Sequence, residues 1–468
     1  MGQRTADFVV LGAGVAGLTL AREMVRAGRS VTVIEKDGEV GGLSRTVRRD
    51  GFSFDLGGHR FHSNNAGVVR WLQELVGTDL LTVGRRSRIH LDGRFVDYPL
   101  RLGQAVRAFG TAKAAGIAAS YARALLAGRE PEARSFEDWV VRRFGRALYE
   151  IYFRPYTEKV WGMPCHQLSA DWASQRISLP SLGGAVYRAV VRGKRPPATI
   201  VSRFYYPRAG YGTICDRLAE QIVAAGGSVL TGVSPRSLEF HADEAVVHVG
   251  RNGDAPETIR CGRLVSSIPL DSLLQAVPDD AEVRQAAADA QLAYRGVILV
   301  FLALDRPHVS ADSWTYFPSP ALLFGRSHEP KNWSPALVPG PSVTSLALEV
   351  FASPGDGTWR ADDRALAGRA VDELDAVGWG GARDVAGAWV VRVPHAYPVY
   401  SLGYAERLGR LRAAMARWPR LSLVGRTGSF CYRNVDGIVE DCFRLCGALG
   451  LDGRGDVAPL PNEQGRWI

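Results

Sequence analysis

Asp7-Phe8-Val9-Val10-Leu11-Gly12-Ala13-Gly14-Val15-Ala16-Gly17 is the stretch that decides the fold. The apolar run from Asp7 to Leu11 reads as a parallel strand buried on both faces. Gly12 permits a tight turn, Gly14 lets the backbone approach a pyrophosphate, and Gly17 lets a helix pack close to the strand. Leu18 to Ala27 carry a helical period, Gly28 stops it, and Ser30 to Glu35 return as a second strand. The result is a βαβ unit of about 30 residues. Phosphates would sit on the N-terminus of its helix, where free N–H groups and the dipole favour negative charge. Glu35 ends the second strand 18 residues after Gly17, where a carboxylate accepts the hydroxyls of an adenosine ribose. A glycine triplet alone is a weak signal. With a strand before it, a helix after it and the acid beyond, it reads as a dinucleotide site.

Gly41-Gly42-Leu43-Ser44-Arg45-Thr46 narrows the dinucleotide, beginning six residues after Glu35. This second glycine pair resembles the extended fingerprint of flavin proteins, absent from bare nicotinamide Rossmann domains, and makes FAD the expected cofactor. Phe54-Asp55-Leu56-Gly57-Gly58-His59-Arg60-Phe61-His62-Ser63 follows. Two glycines before a histidine imply backbone passing close to a flat ring. Near the other end, Leu421–Val424 reads as a buried strand, and Gly425 and Arg426 as a turn beside flavin phosphates. A helix beginning near Asp436-Gly437-Ile438 would face the flavin O2 and N1 edge and stabilise negative charge there. The expected cofactor-binding set is Gly12, Gly14, Val15, Ala16, Gly17, Glu35, Lys36, Gly41, Gly42, Leu43, Gly57, Gly58, His59, Val233, Gly425, Arg426, Asp436, Gly437 and Ile438.

With 468 residues, the chain is long enough for two or three units sharing one core. Hydrophobic residues at 46% and charged ones at 22% give the balance of a globular protein. No uncharged segment reaches the ~18 residues of a membrane span. The chain runs into its first strand with no signal peptide before it, so the expected location is cytoplasmic. Cys165, Cys215, Cys261 and Cys431 are scattered; only Cys442 and Cys446 lie close, one helical turn apart. With no histidine or second pair nearby they read as reduced thiols, and no metal is expected. The net charge is +9, carried almost entirely by arginine, since lysine occurs only at 36, 113, 159, 194 and 331. No basic run is interleaved with aromatics, so a small anionic molecule fits the arginines better than nucleic acid.

The expected fold class is α/β: a discontinuous Rossmann-like FAD-binding domain (1–100, 201–275 and 411–468), a helical insert (101–200) and a mixed or antiparallel sheet domain (276–410). Residues 101–150 are rich in Ala, Arg and Leu and read as two or three helices. Gly183 to Pro207 reads as loop and then strand, and 213–233 as helix and then strand. The apolar runs Gly296–Leu304, Thr344–Phe351 and Ala388–Val393 supply the second sheet.

Four further segments carry a resemblance. Gly58-His59-Arg60-Phe61-His62-Ser63, Tyr156-Thr157-Glu158-Lys159-Val160-Trp161-Gly162, Leu292-Ala293-Tyr294-Arg295, and Gly425 through Tyr432 to Asp436 occur in this order. They are similar to landmarks of the UDP-galactopyranose mutase branch of the amine oxidase and protoporphyrinogen oxidase flavoprotein superfamily. That resemblance implies pyranose–furanose isomerisation of a nucleotide sugar through N5 of reduced FAD, with NAD(P)H as a candidate reductant. It implies catalytic roles for His59 and Arg295. Substrate contacts fall to Tyr156, Trp161, Arg176, Tyr397, Tyr432 and Asn434. Two departures stand out. Pro180 falls where the family has a second arginine after Arg176, and Tyr432-Arg433-Asn434-Val435 replaces Tyr-Tyr-Asp-Met. The alternative is an oxidoreductase that removes hydride from a sugar, amine or prenylated intermediate. A third class, a non-catalytic binding protein, conflicts with the intact glycine loop. Each singled-out residue also has a plainer reading: His59 as a backbone-bonded core histidine, His62 as structural, Tyr156 and Trp161 as packing, Arg176 as a salt bridge, and Arg295 as a cap on the following strand.

Overall fold

Val9, Val10 and Leu11 are fully buried because the strand they end, Gln3–Leu11, has parallel neighbours on both sides. This is the centre of the first sheet of a computed structural model that describes residues 3–98, 102–126, 133–176, 202–251 and 257–451. The strand order is Ser234–Phe240, Ala245–Gly250, Glu257–Ser266, Gln3–Leu11, Val31–Ile34 and Ser228–Leu230, with Leu421–Leu423 parallel to Glu257–Ser266. Side chains alternate between the two faces. Phe8, Val10 and Val33 pack under helices Val15–Arg26, Thr213–Ala224 and Val435–Ala448. Val9, Leu11 and Ile34 pack with Leu270, Val283, Leu408 and Leu411.

The second sheet runs Val385–Pro398, Tyr294–Leu304, Thr344–Phe351, Arg326–His328, Trp314–Tyr316, Ser87–Leu91 and Arg94–Asp97. It is mixed: Trp314–Tyr316 pairs parallel with Ser87–Leu91, and its other pairs are antiparallel. Helix Asp363–Ala376 covers one face through Leu366, Ala370 and Leu374. The other face carries Val297, Leu299, Phe301 and Ala347 against Phe52 and Phe54. Phe54 stacks on Phe301 with centroids 4.4 Å apart. The hairpin Thr46–Arg49/Phe52–Asp55 is thereby clamped to the second sheet, and the Gly57-Gly58-His59 turn leaves directly from it.

The expected elements are present, but the linear domain boundaries do not follow the layers. Ser87–Leu91 and Arg94–Asp97, placed in the first domain by sequence, extend the second sheet. Ala281–Ala290 and most of Tyr404–Met415, placed in the second, pack into the core of the first sheet. The cause is local: an apolar run shows that it is buried, not which layer buries it. Helices Leu102–Leu126, Phe136–Phe144, Arg154–Trp161 and Ala170–Arg176 occupy the expected helical stretch. The loop expected from Gly183, and Pro180, lie outside the described residues; the strand expected after it is Arg203–Pro207, paired with Leu80–Gly84. No described helix is long and apolar enough to cross a membrane.

Asp55 locks this junction. Its carboxyl is 3% exposed and accepts from Thr46 Oγ1 at 2.6 Å, Tyr206 Oη at 2.7 Å and the Tyr211 backbone N at 3.0 Å. Burial outweighs these donors and pushes the carboxyl up to about 6. An unfolded aspartate titrates near 3.9. The protonated form therefore contributes stability that is full below about pH 4 and lost as pH rises through the folded value. Urea unfolding of Asp55→Asn should lack that loss, making the change in stability from pH 4 to pH 7 about 2 kcal/mol smaller than in the unmodified protein. Equal changes in the two proteins would contradict it.

Candidate functional site

The first glycine loop has the geometry that a bound pyrophosphate needs. Gly12 sits at φ +96°, and a Cβ there would stand 2.5 Å from Ser267 Oγ. A Cβ on Gly17 would stand 2.0 Å from the Gly12 carbonyl oxygen, so helix Val15–Arg26 lies directly on the turn. Gly14 occupies its N-cap without a side-chain hydrogen bond, and a Cβ at Gly14 would meet nothing closer than Gly41 O at 4.0 Å. The first-turn N–H groups are thus offered to an anion rather than capped internally.

Glu35 and Gly41-Gly42 brace the loop. Glu35 Oε2 accepts the Ala13 N–H at 2.8 Å and Oε1 the Asp37 N–H at 3.0 Å. Each carboxylate oxygen retains a lone pair for a ribose hydroxyl. Val233 donates its N–H to the Glu35 carbonyl at 2.9 Å and is buried, whereas Lys36 is exposed. Gly41 donates its N–H to Ala13 O at 2.8 Å, and a Cβ on Gly42 would stand 3.4 Å from Gly14 Cα. Leu43, half-buried, packs toward the second sheet.

The far end of the chain closes on the same loop. Gly425, at φ +81°, faces Ala16 so closely that a Cβ would stand 2.9 Å from the alanine methyl. Cys442 donates its thiol to the Ala16 carbonyl at 3.4 Å. Helix Val435–Ala448 begins with an exposed Asn434 at its N-cap, making no side-chain capping bond. Asp436 and Gly437 are half-buried in its first turn, and Ile438 is buried. Burial raises the Asp436 carboxyl above its ordinary value.

Between the two sheets stands a cluster of aromatic and charged side chains. Glu349, 1% exposed in the strand Thr344–Phe351, accepts the Gly58 N–H at 3.1 Å and Arg326 Nε at 2.8 Å. Arg326 Nη2 bonds the other carboxylate oxygen and lies 3.4 Å from Tyr397 Oη. The Glu349 charge holds the Arg326 guanidinium protonated despite its burial. His328 stacks on Trp333 at 4.7 Å, with Nδ1 3.8 Å from Glu349. His59 stacks on Tyr211 at 5.2 Å. Burial, then the charge of Arg426, pushes the His59 imidazole down to about 3, and burial, then Arg326, takes His328 to about 3 as well. Both rings are therefore neutral near pH 7. Tyr397 and Tyr432 stack at 5.5 Å, with the Arg426 guanidinium 5.7 and 5.1 Å from their rings. Trp161 lies 6.3 Å from each. Tyr156 meets Tyr316 edge-on at 5.7 Å. Burial raises the phenols of Tyr156 and Tyr397, which stay protonated donors.

The structure thus brings together His59, Tyr156, Trp161, Tyr397, Tyr432 and Arg426, all chosen from sequence. Arg295 it places differently. Its guanidinium donates to Val160 O at 2.8 Å, Ser353 Oγ and Asp356 at 3.0 Å, Phe351 O at 2.6 Å and Lys159 O at 3.5 Å. Every N–H is spent on an internal acceptor, so Arg295 is a bracket joining helix Arg154–Trp161 to the second sheet rather than an open anion ligand. Arg176 ends the helix Ala170–Arg176, and its side chain lies outside the described residues. Sequence reading missed Arg326, His328, Trp333, Tyr211 and Glu349. One signal was there to read: a lone Glu349 in the otherwise apolar Leu346-Ala347-Leu348-Glu349-Val350-Phe351, a charge that burial obliges to find a partner.

The family model for flavin containing amine oxidoreductases matches residues 15–444. The chain belongs to that family of flavin enzymes. Within it, the chain resembles sugar mutases. It is 28% identical over 172 residues to a probable UDP-galactopyranose mutase of Klebsiella pneumoniae, covering 35% of this chain and 43% of that protein. To the dTDP-fucopyranose mutase of Escherichia coli it is 24% identical over 170 residues, 35% of this chain and 44% of that one. The chain spans less than half the length of these curated relatives. A reduced UDP-galactopyranose mutase structure superposes with a TM-score of 0.83 at 22% identity, covering 96% of both chains. Putrescine oxidase with bound putrescine superposes at 0.65 and 17% identity, covering 96% of this chain and all of the other. At these identities the superpositions show a shared fold.

FAD fits the residues present. The glycine cradle is uncapped, and the buried Nδ1 of His59 and Oη of Tyr211 have no protein partner among the described residues. Two outcomes are expected. Gly17→Val should yield protein without flavin absorbance, because no side chain fits between helix and turn; a yellow variant would contradict this. Arg295→Ala should lower the melting temperature through ~3 kcal/mol of lost stability, while the folded fraction keeps its flavin. An unchanged melting temperature would show that the bracket carries no load.

Proposed function

We propose that this chain is a flavin-dependent enzyme on a nucleotide sugar, isomerising the sugar ring as a pyranose–furanose mutase. The observation that carries the reading is the contrast between Arg295 and Arg326. Arg295 has no donor to spare, whereas Arg326, fixed by Glu349, keeps Nη1 uncommitted among the described residues. A charged, oriented and still available guanidinium suits a diphosphate leaving group.

When bound and reduced, the flavin would supply a nucleophilic ring nitrogen for the anomeric carbon. The chain's own residues do the rest. Arg326 would hold the departing diphosphate, and the protonated phenols of Tyr156 and Tyr397 would donate to it. Trp161 and the stacked Tyr397–Tyr432 pair offer flat surfaces to a sugar or base. His59, held neutral, would hydrogen-bond the ligand through its Nδ1, unpartnered among the described residues, without competing with Arg326 for the anion. The position of Arg426 beneath the tyrosine pair, with Nε and Nη2 on the Arg433 carbonyl at 2.9 and 2.7 Å, keeps that wall rigid.

A second reading, dehydrogenation of an amine or related intermediate, rests on the family's oxidoreductase description and on Asn434 standing where the resemblance has an acid. One experiment separates them. The flavin-loaded protein is reduced anaerobically and incubated with nucleotide sugars, UDP-galactopyranose first. Ring-isomerised sugar without net flavin oxidation is expected; oxygen-dependent turnover to a product two hydrogens lighter would overturn the mutase reading. Arg326→Lys keeps a cation for Glu349 but loses the planar fork. Its turnover should fall about 100-fold with the melting temperature little changed, and full turnover would remove Arg326 from the site.

A further inference from the structure

Lysine is rare in this chain, and two of its lysines, Lys159 and Lys331, do the same thing: each sends its ammonium to a point where three backbone carbonyls converge. Lys331 Nζ donates to Pro307 O at 2.9 Å, Pro341 O at 2.7 Å and Val343 O at 2.8 Å. Lys159 Nζ donates to Phe317 O at 3.1 Å, Ser319 O at 2.8 Å and Phe324 O at 2.7 Å. Three acceptors match the three N–H bonds of an ammonium, whereas arginine presents its donors in one plane. The loop that Lys159 grips joins strand Trp314–Tyr316 to strand Arg326–His328. Tyr316 and Arg326 stand opposite each other in that pair and project from the same face. The loop is bonded onward at its end: Gly325 donates its N–H to the Glu349 carbonyl at 2.9 Å, and Phe317 to the Gly325 carbonyl at 2.9 Å. On its other side, Pro320, Leu322 and Leu323 border a cavity of about 550 Å³.

We propose that Lys159 is a positioning residue for the substrate anion, fixing helix Arg154–Trp161, with Tyr156 and Trp161, against the hairpin that carries Tyr316 and Arg326. The proposal rests on Arg326 as the diphosphate ligand. Tyr156 lies one helical turn before Lys159, so the two face the same hairpin, and Tyr156 meets Tyr316 edge-on at 5.7 Å. Arg295 also holds this helix, through the Lys159 and Val160 carbonyls, but from strand Tyr294–Leu304, which does not pair with the hairpin. Lys159 reaches the loop of the Arg326 strand itself. Glu349 therefore sets the direction of the Arg326 guanidinium, and Lys159 sets its place relative to the Tyr156 phenol.

The test titrates the flavin-loaded full chain with UDP, read by flavin absorbance. It is run at pH 6, because burial pulls the Lys159 ammonium down to about 7, with Glu373 opposing that shift and Arg369 adding to it. Lys159→Met should weaken UDP binding about tenfold. Lys159→Arg, which keeps the charge but not the three-way geometry, should weaken it about fivefold. Lys331→Met loses the same kind of bonds away from the site and should leave UDP affinity unchanged. Combined with Arg326→Lys, the Lys159→Met change should add less than about threefold, because the lysine acts through the arginine. Fully additive effects, an equal loss in Lys331→Met, or full affinity in Lys159→Met or Lys159→Arg would overturn the proposal. Hydrogen exchange at the Phe317 and Gly325 amides should be about tenfold faster in Lys159→Met, and unchanged exchange would also overturn it. If the unmodified protein binds no UDP, the Arg326 reading fails and with it the anion role, while the exchange result still decides whether Lys159 fixes the hairpin. Should the methionine variant not fold, Lys159→Gln carries the same expectations.

Discussion

Glu349 is a full negative charge in the middle of a strand whose eight residues are all buried. Removing a carboxylate from water costs several kcal/mol, ~5 kcal/mol or more, unless the protein returns equivalent partners. Here the partners come from two places. Arg326 is on the neighbouring strand, and the Gly58 N–H is on the turn that leaves the hairpin Thr46–Arg49/Phe52–Asp55. Meeting the demand of one buried charge therefore ties the second sheet to the Gly57-Gly58-His59 turn. It also aims a guanidinium that would otherwise rotate freely. The side chains proposed to meet substrate are arranged around that fixed pair.

Cofactor and substrate functions are divided between the layers in a physically sensible way. Backbone N–H groups and glycines, which neither titrate nor rotate, form the proposed diphosphate cradle at the switch between strands Gln3–Leu11 and Glu257–Ser266. Titratable and aromatic side chains come mainly from the second sheet and from helix Arg154–Trp161. Their ionisation is set by burial: phenols held protonated, two imidazoles held neutral, one guanidinium held charged. The polar wall thus presents donors and the Arg326 cation, with Arg426 behind the tyrosine pair, matched to a ligand carrying several acceptor oxygens.

Much of this was legible in the sequence because it is written in local chemistry. The glycine loop, Glu35 and the strands on either side each obey a short-range rule, and helix Val435–Ala448 begins where its glycine turn implied. The second glycine pair could be read as close packing, and a Cβ on Gly42 would indeed touch Gly14. What sequence could not give was which arginine had donors left over. Arg295 and Arg326 both lie in or beside apolar strands; only the acceptors around each, supplied by residues far away in the chain, separate bracket from candidate ligand. The same holds for the layer boundaries. Ser87–Leu91 looks like any short strand, and its membership of the second sheet depends on a partner more than 200 residues later.

Everything proposed for the site depends on an anion subsite built on Arg326 and a cofactor ring lying against the Gly57–His59 turn. A crystal structure of the flavin-loaded, reduced protein with UDP tests both at once. The diphosphate oxygens are expected within hydrogen-bond distance of Arg326 Nη1, with the Arg295 bracket undisturbed and the isoalloxazine packed over Gly57 and Gly58. A diphosphate held by Arg295 with its internal bonds broken, or a ring lying away from His59, would contradict this arrangement.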